Sequence, residues 1–173
     1  SGGGLELDYV SATVERCTFT NNTAWNTGYA IAGHGSATSP VNAVTVLSCQ
    51  FGAGGYSVPA LNITNAAKVE VVSCEFSRCR FGAMELNAED TTIKDCRFIL
   101  NNGRGDGYGV VDILSAKATI QRCAAFENVG GQSVFFIKAD DAFLSDCLLV
   151  DNNLRTGYLG ALGVGSAVQM AGF

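Results

Sequence analysis

The chain has 173 residues, 47% of them hydrophobic and only 16% charged, with 21 glycines against 2 prolines. That length and apolar content suit one compact domain and exclude both a disordered chain and a pair of ordinary domains. With 16 acidic against 11 basic residues, the net charge of -5 provides no footprint for gripping a nucleic-acid backbone.

The first residues, Ser1 to Leu7, contain no basic segment followed by an apolar run, so no signal peptide is legible. Gly2 to Leu7 read as an apolar strand with no cysteine strand ahead of it, as if the chain opened in mid-repeat. Val14-Glu-Arg-Cys17-Thr-Phe19 then introduces a motif that returns five times, around Cys49, Cys74, Cys96, Cys123 and Cys147. The motif carries Phe19, Phe51, Phe76 and Phe98 two residues after the cysteine, then Ala125 and Leu149 in the last two copies. Successive frame cysteines lie 32, 25, 22, 27 and 24 residues apart. Irregular spacing of that kind defeats a helical repeat and suits coils whose loops vary.

Five residues after the cysteine stands Asn22, Asn101, Asn128 or Asn152, replaced in two copies by Gly54 and by the off-frame Cys79. Asparagine tolerates left-handed backbone and can bond to its own counterpart one coil away, so the spacing predicts a stacked amide ladder at a turn. A second pattern follows each first one. Gly28-Tyr29, Gly55-Tyr56, Arg80-Phe81, Gly107-Tyr108 and Gly157-Tyr158 each open an apolar strand, with Gly131-Gln132 a weaker copy.

Within these strands the residues alternate. Cys74 and Phe76 point one way and Ser73, Glu75 and Ser77 the other; Leu61 and Ile63 flank Asn62, Met84 and Leu86 flank Glu85, and Val111 and Ile113 flank Asp112. No segment sustains helical periodicity over three turns. The uncharged stretch from Gly157 to Phe173 is glycine-rich and shorter than the roughly 20 apolar residues of a membrane span, so it reads as core strand. Short strands at a period in the twenties, with polar turns, describe an all-β parallel β-helix solenoid of about six to seven coils. Its length is about 30 Å at ~4.8 Å per coil.

Cys17-Thr-Phe19-Thr-Asn-Asn22 and Cys96-Arg-Phe98-Ile-Leu-Asn101 resemble the repeats of polymorphic outer-membrane proteins and, more broadly, the right-handed β-helix proteins of the pectin-lyase-like superfamily. Gly2 to Leu5 and Gly28 to Ile31 match the glycine-glycine-alanine-isoleucine strand of those repeats loosely, and the later copies are degenerate. The resemblance covers nearly the whole chain and implies right-handed winding and a structural or adhesive role outside the cell or at its surface. Such a segment meets other copies or other surface proteins through lateral or end-to-end contact, and glycans are a further class of partner. Residues 1–173 are expected to form a single segment of a longer chain, because both ends look uncapped. The same superfamily scaffold also carries polysaccharide lyases and polygalacturonases, so a lyase or glycoside hydrolase acting on acidic glycans is the alternative.

For that alternative the candidate catalytic residues are Glu85 and Asp112, which share one offset in adjacent coils and so stand about 5 Å apart. Asp8, Lys138 and Arg155 are the charged residues the fold can bring to them. The pair also suits calcium as a cofactor; against both stands the reading of two solvated acids. Asp140-Asp141 reads as a loop. For the cysteines, buried thiols outweigh metal ligands, since Cys74 and Cys79 form the only near pair and His34 is the only histidine, placed in the longest insertion. Tyr29, Tyr56, Phe81, Tyr108 and Tyr158 form either a packed turn or a platform for sugars. Two glycosylation sequons occur, at Asn62, expected to point outward and be the better acceptor, and at Asn21, beside the amide ladder. Arg104-Gly-Asp106 reads as coincidence.

Overall fold

The structure is a computed structural model that describes residues 3–25, 28–36, 38–55, 57–103, 108–130, 133–154, 162–164 and 168–171. Tyr56, Gly107, Tyr158, Arg155, Gly131-Gln132 and the Arg104-Gly-Asp106 tripeptide lie outside them.

The described strands pair in parallel with their counterparts one coil away. Leu61–Val72, Met84–Lys94, Gly109–Gln121 and Ser133–Ser145 form the middle of a long-stranded sheet. Gln50–Gly54, Glu75–Cys79, Arg97–Ile99 and Ala124–Phe126 lie in a short-stranded sheet, one strand per coil. Each long strand turns a corner halfway. In Gly109–Gln121 the alternation breaks where Ala116 and Lys117 both face solvent, after which Ala118 and Ile120 are buried. Two consecutive outward residues reverse the phase of a period-2 pattern, so one strand serves two faces and the short strand closes the third.

Asp140 and Asp141 occupy the same corner inside Ser133–Ser145 rather than a loop. In register along that edge run Lys68, Asp90, Lys117 and Asp141, whose alternating signs let neighbouring coils stack without like-charge opposition.

Residues 162–164 and 168–171 add the strands expected near the C-terminus, paired with Phe135–Ile137 and Ala142–Ser145. The coil number is slightly lower than expected, about five turns. The cysteines mark rungs, and six short strands enclose five complete circuits.

Sharp turns on either side of the short strand use left-handed backbone. The residue before each frame cysteine (Arg16, Ser48, Ser73, Asp95, Arg122, Asp146) and the fourth after it (Asn21, Ala53, Arg78, Leu100, Glu127, Asp151) have φ between 36° and 56°. The left-handed position is therefore the residue ahead of the ladder asparagine, not the asparagine itself as its chemistry suggested. A β-branched side chain occupies none of these twelve positions, consistent with the crowding of Cβ there.

Leu100 is the most apolar of these residues and is 44% exposed. Leu100→Gly removes the left-handed penalty at little loss of burial. It is expected to stabilise the chain by roughly 0.5–1 kcal/mol after the extra freedom of glycine in the unfolded state is counted. A higher melting temperature by circular dichroism checks this.

Candidate functional site

Three columns of side chains run through the interior. In the first, Asn101 Nδ2 donates to Asn128 Oδ1 at 3.0 Å and Asn128 Nδ2 donates to Asn152 Oδ1 at 2.9 Å. The same side chains satisfy the backbone. The amide N–H groups of Cys79, Asn101 and Asn128 donate to the Oδ1 of Asn101, Asn128 and Asn152 at 2.9, 2.9 and 3.0 Å. Each second amide hydrogen reaches a carbonyl of the preceding coil, Phe76, Phe98 or Ala125. Asn101 and Asn128 are buried, so such saturation is a requirement of the turn.

The two interruptions of this ladder have one cause. Tyr29 is fully buried, and a Cβ added at Gly54 would fall 2.6 Å from its ring. The tyrosine occupies the space that an asparagine at position 54 would take, and its hydroxyl faces the Cys79 thiol without a well-aligned hydrogen bond. Asn22 thus lies beyond the break, half-buried, its carbonyl accepting from Gly55 N–H at 3.1 Å.

The second column is aromatic. Phe19 stacks on Phe51 at 5.2 Å, Phe51 on Phe76 at 4.4 Å and Phe76 on Phe98 at 5.5 Å, with ring planes within 16°. Where the next rung offers only Ala125, Phe135 enters from the long sheet and meets Phe98 edge-on at 5.4 Å.

The third column holds Cys17, Cys49, Cys74, Cys96, Cys123 and Cys147, and all seven cysteines are free thiols. The Cys17 and Cys49 N–H groups donate to the sulfur of Cys49 and Cys74, both at 3.4 Å. The frame thiols donate to carbonyls two residues back, as Cys49 does to Leu47 at 3.2 Å. Burial raises the pKa of Cys49 above the ordinary thiol value, and burial pushes Cys79 up to about 12.

A folded-state pKa above the unfolded one favours the neutral thiol in the fold. That contribution is complete below the unfolded value near 9.0 and is lost as pH rises from there through about 12. Urea midpoints are therefore expected to fall across this alkaline window. Without reductant, all seven thiols are expected to react after denaturation, and the half-buried Cys17 and Cys147 fastest in the folded chain.

The outer face of the long sheet is chemically different. Asn62, Glu85, Asp112 and Phe136 stand in one row across four adjacent strands, and Asn87, Leu114 and Lys138 in the row two residues on. Glu85 and Asp112 are thus brought together as adjacent rungs, in a hollow of about 240 Å³ with Tyr108 at its edge. Asp112 Oδ1 accepts from Gly109 N–H at 2.7 Å, which fixes its carboxylate. An adjoining hollow of about 440 Å³ lies along the corner, where Ser36 and Pro40 of the insertion contribute to the wall together with Glu89 and Asp140. Lys138, one of the charged residues the fold could bring to the pair, lines both hollows. Asp8 stands elsewhere, in register with His34, which ends strand Ile31–His34 rather than lying in a loop.

The aromatic repeat does not form an exposed platform among the described residues. Tyr29 is buried, Phe81 half-buried and Tyr108 exposed. The expectation for Asn62 is overturned as well: it lies in the outward row but is only 9% exposed. The turn at Gly28 passes close by, and a Cβ there would lie 2.9 Å from the Asn62 backbone nitrogen. Asn21, by contrast, is exposed in its left-handed turn, so it is the open sequon of the two.

Parallel coils with in-register amide, aromatic and thiol columns define a β-helix. A family model of right-handed β-helix regions matches residues 3–171, and the chain belongs to that family. No curated protein and no solved structure matches it. No helix among the described residues is long and apolar enough to cross a membrane.

Proposed function

We propose that this chain is a structural segment of an extracellular or cell-surface protein, serving as a scaffold or adhesin with no catalysis of its own. It meets other copies or other surface proteins through lateral or end-to-end contact. The observation that carries the reading is the use made of the recurrent residues. The described members of the amide column (Asn101, Asn128, Asn152), the phenylalanine stack and the thiol column spend their chemistry on the neighbouring coil, which is how a rod is built.

A polysaccharide lyase or glycoside hydrolase of the pectin-lyase-like kind is the second reading, favoured by the in-register Glu85 and Asp112 in their hollow. Electrostatics weigh against an acidic glycan there. The hollows present Glu85, Asp112, Glu89 and Asp140, with Lys138 as the cation among the described lining residues. A polyanion meets net repulsion in such a site unless calcium bridges the acids.

Incubation with polygalacturonate and with neutral glycans, with and without calcium, separates the readings. Reversible binding or none, without new reducing ends or unsaturated uronate, is expected. Turnover that disappears in both Glu85→Gln and Asp112→Asn, with folding intact, would establish the enzyme.

A further inference from the structure

The first two coils carry a cluster outside the hollows. Glu6 and Asp8 project from the same face of strand Leu5–Asp8, and His34 lies directly opposite Asp8 on the next strand. One carboxylate oxygen from each acid and one ring nitrogen of the histidine lie within 4.8 Å of one another.

A second observation concerns the imidazole. His34 Nδ1 lies 3.3 Å from Thr64 Oγ1, and that hydroxyl in turn donates to the Gly33 carbonyl at 3.4 Å. A hydroxyl has one hydrogen, so with its proton on Gly33 the threonine oxygen must accept, and Nδ1 must carry the imidazole hydrogen. In the neutral ring the lone pair then resides on Nε2. That atom is shielded from solvent and has no hydrogen-bond partner. A buried acceptor left unsatisfied is costly, and a cation held with the two carboxylates would satisfy it.

We propose that Glu6, Asp8 and His34 form a binding site for a divalent transition metal of the zinc type, with Thr64 as the positioning residue that sets the histidine tautomer. One neutral imidazole and two carboxylates balance the dication, leave a coordination position for water or a partner's ligand, and favour zinc over calcium, which takes clustered oxygens. The hydroxyl behind the ring is the outer-shell partner that ligating histidines require. Because the acids belong to one coil and the histidine to the next, the ion clips strand Leu5–Asp8 to its neighbour. Glu6, Asp8 and His34 lie outside the hollow of Glu85 and Asp112, and Thr64 lines it from the edge nearest them.

The reduced full chain is titrated with Zn²⁺ by calorimetry, alongside His34→Gln, Asp8→Asn and Thr64→Val, with metal-free melts confirming that each variant folds. One Zn²⁺ per chain is expected. The affinity should fall at least about 100-fold in His34→Gln and Asp8→Asn, and about 10-fold to 100-fold in Thr64→Val. Co²⁺ bound to the unaltered chain, a readout that needs no variant, should show ligand-field bands without sulfur-to-cobalt charge transfer. Failure of the unaltered chain to take up Zn²⁺ saturably would overturn the proposal. So would equal affinity in His34→Gln, or a thiolate spectrum, since either would move the ion to the cysteines.

Discussion

Asn128→Leu is expected to cost about 3–6 kcal/mol, although leucine has the same branched shape as asparagine and is far more hydrophobic. The side chain it replaces accepts from Asn101 N–H and Nδ2 and donates to Phe98 O and Asn152 Oδ1. Removing it leaves the Asn101 N–H and the Phe98 carbonyl without that side-chain partner, where each buried unsatisfied group costs about 1–3 kcal/mol. Such a loss is a large part of the roughly 5–15 kcal/mol that hold a domain together. Chemical denaturation checks it, and a leucine variant as stable as the parent would show that the ladder is incidental to the fold.

Phe76→Ala is the second large effect, expected at about 3–5 kcal/mol. The ring is fully buried between Phe51 and Phe98, in a column walled by adjacent coils that cannot collapse without breaking their register. Phe19→Ala, at the half-buried end of the stack, should cost clearly less. Equal losses at both positions would mean that the stack contributes only local burial and no continuity along the rod. Paired denaturation curves decide between these outcomes.

The elements that repeat with the coil were legible in the sequence. Cys96, Phe98 and Asn101 stand at fixed offsets, and fixed offsets in a parallel solenoid become columns whatever the loops do. The compensations were not. Gly54 and Cys79 look like decay of the asparagine position until Tyr29, from another part of the coil, is seen to fill the gap. Ala125 looks like a lost phenylalanine until Phe135 enters from another face.

On the outer surface, the offset from Phe81 and Tyr108 correctly paired Glu85 with Asp112, because both residues open their strand after the loop of variable length. The same alternation misjudged Asn62, since period 2 gives the direction of a side chain and not how far neighbouring chain covers it. His34 was misplaced for a related reason. The insertion that seemed to contain it begins after it, at Gly35, and only the pairing of Asp8 with His34 and of His34 with Thr64 shows that three coils meet there.

Backbone hydrogen exchange tests the central claim most directly, that the stacked asparagine side chains protect turn amides and so help to hold successive coils together. The amides of Cys79, Asn101 and Asn128 lie at the end of the short strand or in the turn beyond it, where exchange is ordinarily fast, yet each donates to a buried asparagine oxygen of the next coil. They are expected to exchange as slowly as the central amides of Leu61–Val72 and Met84–Lys94. Exchange at the rate of an unprotected backbone amide would contradict the account.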